Sequence, residues 1–282
     1  MNPSVPEVSV VITTRNEEAN IRRCLESIRN QQKVYGKAEV IVVDNNSADN
    51  TKEIAALFTD KIYNCGPERS AQRNLGIAKA SGRYILYLDA DMILSENLIA
   101  EALEKCAKGE FIALYIPERI IGKGFWSKVR DFERSFYNAT SIDAVRFVNR
   151  DAALGIRCFD EDLTGPEDWD FNRRIEAIGK TGITENVIYH NEGRFDLVRY
   201  LKKKAYYAGS FDTYVRKWGR DDPIVRKQLG AYYRFVGVFT ENGKWKRLFC
   251  HPMLALAMYA LRISVGLFSL KSILSRSETD EK

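Results

Sequence analysis

The first 120 residues alternate between short apolar runs and segments whose apolar side chains recur at helical spacing. Val8–Thr13 reads VSVVIT, Val40–Val43 reads VIVV and Tyr84–Leu88 reads YILYL. Short continuous apolar runs are typical of strands that are buried on both faces, and helices connect such strands in parallel. The alternation therefore predicts an α/β fold in which helices flank a mainly parallel sheet.

Polar clusters follow three of these predicted strands. They are Thr14-Arg15-Asn16-Glu17, Asp44-Asn45-Asn46-Ser47 and Asp89-Ala90-Asp91. Because ligands bind at the carboxyl ends of strands in open parallel sheets, we expect the three clusters to form one site. No Gly-x-Gly-x-x-Gly follows the first strand and no P-loop lysine motif is present, so the sequence does not favour dinucleotide binding or ATP hydrolysis.

Asp89 and Asp91 stand two residues apart directly after the YILYL strand. Carboxylates with this spacing can hold one divalent cation, and Mg²⁺ and Mn²⁺ favour oxygen ligands together with substrate phosphates. Such a cation would neutralise the charge that develops on a departing diphosphate. Surface turns also contain D-x-D, so the position after an apolar strand is what favours the metal site.

Two further groups suit a nucleotide ligand. Asp44 can accept a hydrogen bond from a nucleobase, while Asn46 or Ser47 caps the following helix. Arg69 and Arg73 lie about one helical turn apart in ERSAQRN. That spacing suits a phosphate group, although a solvent-exposed helix would show it equally.

After Phe125 the pattern changes. It predicts a helix over Phe125–Asn138, a polar stretch over Asp160–Asp170 that leads into a helix, an edge strand over Gly182–His190, a long basic helix over Phe195–Trp218 and an apolar tail over Met253–Leu274. We therefore expect a catalytic domain over 1–193, with a nucleotide-binding half at about 1–120 and an acceptor half at about 121–193. A helical C-terminal region over 194–282 follows it.

The positive charge of the chain is concentrated in its C-terminal third. The net charge is +5, but Arg194–Phe249 holds 14 Lys/Arg against 5 Asp/Glu. Such a segment favours an anionic partner such as phosphate, nucleic acid or lipid headgroups, although an ordinary solvated surface has the same composition.

The five cysteines are scattered without a C-x-x-C pair, which argues against a disulfide framework or a zinc ribbon and fits a reducing compartment. The N-terminus has no basic region followed by an apolar run, so no secretory signal is predicted.

The motifs T-R-N-E, VVDNNSAD, ERSAQRNLG and YLDAD occur in this order over Val8–Asp91, and GPEDWDFNRRI and His190 follow them. This series resembles inverting family 2 glycosyltransferases of the GT-A (Rossmann-like) fold. The resemblance implies a UDP- or GDP-sugar donor, a divalent metal cofactor (Mn²⁺ or Mg²⁺) and a single displacement with inversion. By position it implies a nucleotide-sugar site of Thr14, Arg15, Glu17, Asp44, Arg69, Arg73, Asp89 and Glu167, a metal site of Asp89, Asp91 and His190, and Asp168 as catalytic base.

Chemistry gives a second reason to expect a base near Asp168. Inversion needs a carboxylate that takes the proton of the acceptor hydroxyl while the anomeric carbon is attacked. Glu167 and Asp168 precede a predicted helix, whose positive amino end favours an ionised carboxylate. Glu167, Asp162 and Asp170 remain alternatives to Asp168 as the base. For His190, the alternative to a place in the metal site is a purely structural role.

The sequence departs from the pattern of this family in one place. Polymerising synthases of the family carry Q-x-x-R-W, whereas Thr213–Trp218 reads TYVRKW, without the glutamine and with an extra lysine. The departure favours transfer of a single hexose (mannose or glucose) over processive synthesis.

The apolar tail is a poor membrane span, because Arg262 interrupts it and a central Arg costs about 2.5–3.5 kcal/mol on insertion scales. Basic and aromatic residues precede it, namely Lys244, Trp245, Lys246, Arg247 and Phe249. That composition favours an amphipathic or re-entrant helix at the headgroup zone. The alternative is a helix packed on the catalytic domain or on a dimer partner.

We therefore expect a polyprenyl-phosphate or lipid-linked saccharide acceptor at the cytoplasmic face of the cell membrane. A nucleotidyltransferase is one alternative, but it needs a Gly-rich loop with Lys or Arg after the first strand, and TTRNEEAN has no glycine. A non-catalytic nucleic-acid-binding protein is another, but it would leave Asp89, Asp91 and Asp168 without a role. We expect no nucleic-acid partner.

Overall fold

The computed structural model describes residues 6–31 and 37–280, with side chains described up to residue 268. The strands in this part of the chain are β1 (Val8–Thr14), β2 (Ala38–Asp44), β3 (Ile62–Asn64), β4 (Tyr84–Asp89), β5 (Met92–Leu94), β6 (Ala113–Tyr115), β7 (Glu118–Lys123), β8 (Val145–Asn149), β9 (Thr181–Ile183) and β10 (Ile188–Arg194). The helices are α1 (Ile21–Arg29), α2 (Thr51–Ala55), α3 (Arg69–Lys79), α4 (Leu98–Ala107), α5 (Phe125–Arg134), α6 (Arg150–Gly155), α7 (Glu167–Glu176), α8 (Leu197–Ala208), α9 (Phe211–Trp218), α10 (Pro223–Leu229), α11 (Val238–Thr240), α12 (Trp245–Cys250) and α13 (Pro252–Asp280).

A seven-stranded sheet in the order β3-β2-β1-β4-β8-β6-β9 forms the centre of the fold. β1 pairs in parallel with β2 and β4, and β2 pairs in parallel with β3. β8 runs antiparallel to both β4 and β6. Every residue of β1 is buried, because helices cover both faces of the sheet and leave no polar side for this strand. The predicted α/β fold with a mixed, mainly parallel sheet is confirmed.

Three segments differ from their sequence-based predictions. The edge strand expected over Gly182–His190 is two strands, because the chain leaves β9 in the main sheet and re-enters as β10 beside β5. The basic helix expected over Phe195–Trp218 is broken between α8 and α9, where Gly209 and Ser210 stand. Glu167 and Asp168 do not precede a helix but occupy the first turn of α7.

The chain forms two compact units. The first comprises 1–119, 143–161 and 167–191, and the second comprises 120–142, 162–166 and 192–282. The first unit contains the central sheet and the second contains α5 and α8 to α13. The division into domains over 1–193 and 194–282 stays a prediction. In the part of the chain that is described, no helix combines the length and the apolar character that crossing a bilayer requires.

A buried charged cluster lies within the second unit. The Glu133 carboxylate pairs with Arg130, accepts from Arg262 at 2.6 Å and accepts from the Tyr137 hydroxyl at 2.6 Å. Burial alone would raise the pKa of Glu133, but Arg130 and Arg262 outweigh it and lower this pKa from 4.5 to about 2. Arg262, the charge that interrupts the apolar tail, is therefore an internal partner of α5.

The lowered pKa predicts an acid-dependent loss of stability. Ionised Glu133 stabilises the folded state above pH 4.5, and this contribution of about 3 kcal/mol is lost as the pH falls to about 2. Glu133→Gln should therefore be less stable than the wild type at neutral pH, with a gap that narrows between pH 4.5 and 2. Urea unfolding of both proteins across this range measures the gap, and a gap that does not change with pH contradicts the assignment.

Gly76 provides a test of the packing between α3 and β1. A Cβ at Gly76 would lie 2.2 Å from Cγ1 of Val11, which is fully buried in β1 and cannot move aside. Gly76→Ala should therefore lower the free energy of unfolding by about 1–3 kcal/mol. Gly155→Ala on α6 is the matched control, because its Cβ meets no atom within 4 Å. Equal stability of the two variants would contradict this packing.

Candidate active site

The ends of three neighbouring strands bring the polar clusters to one edge of the sheet. The parallel register pairs Thr14 at the end of β1 with Asp44 at the end of β2, and Thr13 with Asp89 at the end of β4. The edge therefore carries two carboxylates and two hydroxyl groups on adjacent strands.

Two arginines of α3 bind the carboxylates at this edge. Arg73 donates to Asp168 at 2.7 Å and to Asp89 at 3.3 Å. Arg69, one turn earlier, donates to Glu167 at 3.0 Å and lies 3.6 Å from Asp89. The pair thus joins the end of β4 to the first turn of α7.

The two arginines differ in their exposure. The Arg73 side chain is fully buried, and its guanidinium lies 4.9 Å from the ring centroid of Tyr87 and 5.1 Å from that of Phe159. Arg69 keeps 30% of its side chain exposed. Arg69 is therefore accessible from solvent at this edge, whereas Arg73 is enclosed by the carboxylates and rings that it contacts.

Asp89 is kept ionised by this arrangement. Burial alone would raise the pKa of Asp89, but the Arg69 and Arg73 guanidinium groups outweigh it and hold the pKa well below its usual range. The Thr13 hydroxyl adds a hydrogen bond to Asp89 at 3.1 Å. Asp89 is therefore a fixed negative charge with several cationic and hydroxyl partners.

Of the acidic residues at the start of α7, Asp168 is the accessible one. Its side chain is 20% exposed, whereas that of Glu167 is 2% exposed. Asp170 is fully buried and binds Arg174 on the same helix. Of these three carboxylates, Asp168 is the most accessible from solvent.

Asp91 and His190 begin a second chain of charged groups. His190 Nε2 lies 3.0 Å from Asp91 Oδ2, and its Nδ1 lies 3.9 Å from Glu118 Oε2. Glu118 in turn accepts from Arg146 Nε and Nη2 at 3.1 and 2.9 Å. Burial alone would lower the pKa of His190, but the hydrogen bond to Asp91 and the nearby Glu118 carboxylate raise it to about 10. In this arrangement His190 is a cationic partner of Asp91.

One oxygen of Asp91 fits a divalent cation. Asp91 Oδ1 is buried and has no hydrogen-bond partner among the described residues. A buried carboxylate oxygen is costly unless something pairs with it, and a metal ion would do so. Within the described ranges no group of three or more His, Cys, Asp or Glu residues could hold a metal ion.

The remaining candidates lie around the ends of β1 and β2. Thr14 is buried, Arg15 is exposed and Glu17 accepts from the Asn20 side chain at 2.7 Å. Asp44 is fully buried and binds the backbone N–H of Ser47 at 2.7 Å and also its hydroxyl.

The prediction that Asn46 or Ser47 caps the following helix is wrong. α2 begins only at Thr51, and the Asn50 side chain at its N-cap position makes no capping hydrogen bond. Ser47 instead closes a turn with Asp44, because the Asp44 carboxylate accepts from both the backbone N–H and the hydroxyl of Ser47.

The sequence of this chain also matches a known protein family. Residues 9–164, more than half of the chain, match the family model described as Glycosyl transferase family 2. The chain belongs to this family. The roles of the individual site residues stay predictions.

Two curated relatives match part of this family 2 chain. Glycosyltransferase AglE of Haloferax volcanii is 41% identical over 98 residues, which are 32% of this chain and 32% of AglE. The GalNAc(5)-diNAcBac-PP-undecaprenol beta-1,3-glucosyltransferase of Campylobacter jejuni is 29% identical over 115 residues, 37% of this chain and 36% of that enzyme. The matches thus span about a third of the length of these curated relatives.

A solved structure resembles the chain over a longer range. The mannosyltransferase PcManGT from Pyrobaculum calidifontis, in complex with GDP-Man and Mn²⁺, has a TM-score of 0.64 and 20% sequence identity, and the match covers 94% of this chain and 87% of that one. At this identity the likeness shows the fold, which is GT-A.

Sequence reasoning missed several residues that organise the site of this family 2 glycosyltransferase. Gln72 Nε2 donates to the carbonyls of Thr14 and Val43 and so ties the ends of β1 and β2 together. Glu118 and Arg146 are 28 positions apart on β7 and β8 and belong to no motif of the chain. Only the charge of Arg146 within the apolar run of β8 could have drawn attention to it.

The ion pairs of Arg73 predict its effect on stability. Arg73→Gln leaves Asp89 and Asp168 without their buried cation and should lower the free energy of unfolding by about 3 kcal/mol. Arg69→Gln removes a partly exposed cation of the same helix and should cost about 1 kcal/mol or less. Urea unfolding followed by circular dichroism measures both values. An Arg73→Gln variant no less stable than Arg69→Gln would show that the buried pairs are not needed.

Proposed function

We propose that this chain transfers a single hexose, mannose or glucose, from a GDP- or UDP-sugar to a lipid-linked acceptor with inversion, in a reaction that needs Mn²⁺ or Mg²⁺. The observation that carries the proposal is the pairing of two features at one sheet edge. Asp91 has a buried carboxylate oxygen without a partner, and Asp168 is an accessible carboxylate that Arg73 holds in place.

The Asp91 side supports a nucleoside diphosphate. Asp91 would hold the cation, with Asp89 as a further candidate ligand and with His190 as another once it has lost its proton. The cation would act as a Lewis acid that neutralises the charge of the diphosphate. Arg69 adds a partly exposed guanidinium, which suits a phosphate oxygen. Thr14, Arg15, Glu17 and Asp44 surround the neighbouring strand ends and form the proposed nucleotide pocket.

The Asp168 side supports the acceptor. Asp168 takes the proton of the acceptor hydroxyl while the hydroxyl oxygen attacks the anomeric carbon. The new bond joins that oxygen to the anomeric carbon, the bond from this carbon to the diphosphate oxygen breaks, and its electron pair leaves with the nucleoside diphosphate. Arg73 and the start of α7 orient the carboxylate for this step. Glu167 is engaged with Arg69 and serves as a positioning residue.

The comparisons support the proposed donor and acceptor classes. PcManGT is a mannosyltransferase solved with GDP-Man and Mn²⁺, which supports a GDP-sugar and a divalent metal for this chain. The Campylobacter relative is named for an undecaprenol diphosphate-linked saccharide, which supports a polyprenyl-phosphate or lipid-linked saccharide acceptor. An enzyme for such an acceptor works at a membrane surface, and we place it at the cytoplasmic face of the cell membrane. Family membership favours sugar transfer over nucleotidyl transfer or nucleic-acid binding.

Thermal unfolding with nucleotides, combined with transfer assays, tests the proposed roles of Asp91 and Asp168 independently. GDP or UDP with Mn²⁺ should raise the melting temperature of the wild type, because a ligand that binds only the folded state stabilises it. Asp91→Asn should lose the Mn²⁺-dependent part of this shift. Asp168→Asn should keep the shift and lose about a hundredfold or more of the transfer rate.

Asp151→Asn is the matched control, since it changes an exposed aspartate in the first turn of another helix, α6. It should keep both the shift and the transfer rate. A nucleotide shift that does not depend on Mn²⁺ in the wild type, or that survives unchanged in Asp91→Asn, would exclude the proposed metal site. Full transfer by Asp168→Asn would exclude the proposed base.

A further inference from the structure

α13 carries apolar side chains on two opposite sides. One side packs against α5 and α8 of the same unit and is buried, with Ala255, Met258 and Leu261. The other side has apolar side chains that are each more than half exposed, namely Met253, Leu256, Ile263 and Leu267. Nothing among the described residues buries this second side.

The exposed side chains form one continuous stripe. Met253, Leu256, Ala260, Ile263 and Leu267 follow one another at intervals of three and four residues, and all are exposed. This spacing places them on a single face of a helix. At 1.5 Å per residue the stripe is about 21 Å long.

The preceding helix, α12, carries exposed aromatic groups. Trp245 and Phe249 of α12 are exposed and lie one turn apart, with ring centroids separated by 5.9 Å. Lys246 and Arg247 are exposed on the same short helix. Aromatic and basic residues together are characteristic of the zone where lipid headgroups meet water.

The charge of the second unit favours one class of partner. Its residues include 22 Lys/Arg and 12 Asp/Glu, a net charge of +10. A second copy of the chain would bring an equal positive charge against the stripe and would be repelled. An anionic lipid surface would be attracted by the same charge and would also bury the apolar side chains.

We propose that the exposed stripe of α13, with Trp245 and Phe249, docks on an anionic lipid surface. We call these seven residues the docking face. α13 lies in the plane of the headgroups, with its stripe toward the acyl chains and its opposite side on α5 and α8. The inference rests on the proposed function, since docking would bring the enzyme to lipid-linked acceptors.

Vesicle co-sedimentation of the full chain tests the docking face. The wild type should bind vesicles of phosphatidylcholine with phosphatidylglycerol, and should bind more weakly at high salt or to phosphatidylcholine alone. Leu256→Glu should lower the partition coefficient about tenfold or more, because it replaces an apolar side chain in the bilayer with a charge. Met253→Glu provides a second test of the same stripe.

Leu57→Glu is the matched control. Leu57 lies in the first unit and is 66% exposed, against 67% for Leu256, so the two variants differ in location and not in exposure. Leu57→Glu should bind vesicles as the wild type does. All variants should keep the wild-type melting temperature and the nucleotide-dependent shift, which separates this test from that of the proposed function.

Three results would overturn the inference. They are no binding of the wild type to anionic vesicles, unchanged binding of both stripe variants, or a solution dimer, seen by sedimentation equilibrium without lipid, that Leu256→Glu dissociates. The last result would make a second copy the occupant. Loss of nucleotide stabilisation in a protein that still binds vesicles would refute the proposed function and leave the docking face intact.

Discussion

Burial of the Arg73 guanidinium is the constraint on which the site depends. A cation removed from water costs several kcal/mol unless carboxylates and polarisable groups replace its hydration. Asp89 and Asp168 supply the charges, and the rings of Tyr87 and Phe159 supply faces for the guanidinium. Because these groups come from β4, α7 and the segment before α7, the one side chain fixes three parts of the chain relative to each other.

The consequence is a site whose charges are set before any ligand arrives. Asp89, Glu167 and Asp168 are held by Arg69 and Arg73, and the Asp91–His190 pair is held through Glu118 and Arg146. Preorganised charges of this kind need not reorganise when charge develops in a transition state. A charge is likewise held inside the second unit, where Arg262 of α13 binds Glu133 of α5. Arg262 therefore lies away from the exposed apolar stripe of α13.

Local patterns in the sequence were sufficient to predict the sheet and much of its edge. The apolar runs gave β1, β2 and β4 to within two residues, and the polar residues that follow them do meet at adjacent strand ends. The four-residue spacing of Arg69 and Arg73 placed both on one face of α3. Contacts between distant segments could not be predicted, as Glu118 with Arg146 shows. The charge of Arg146 within an apolar strand is a local signal, but it does not identify Glu118 as the partner. Apolar residues of the tail that contains α13 fall on more than one side of the helix, so only packing distinguishes its buried side from its docking face.

Stereochemistry tests the central claim most directly. In the absence of an acceptor, water can take the place of the acceptor hydroxyl beside Asp168, and the released sugar then reports the geometry of attack. Proton NMR of GDP-α-mannose and UDP-α-glucose incubated with the protein and Mn²⁺ follows the anomer that appears first. The account predicts the β-anomer of the accepted sugar, before mutarotation mixes the two forms. An α-anomer that appears first would contradict single displacement with Asp168 as the base.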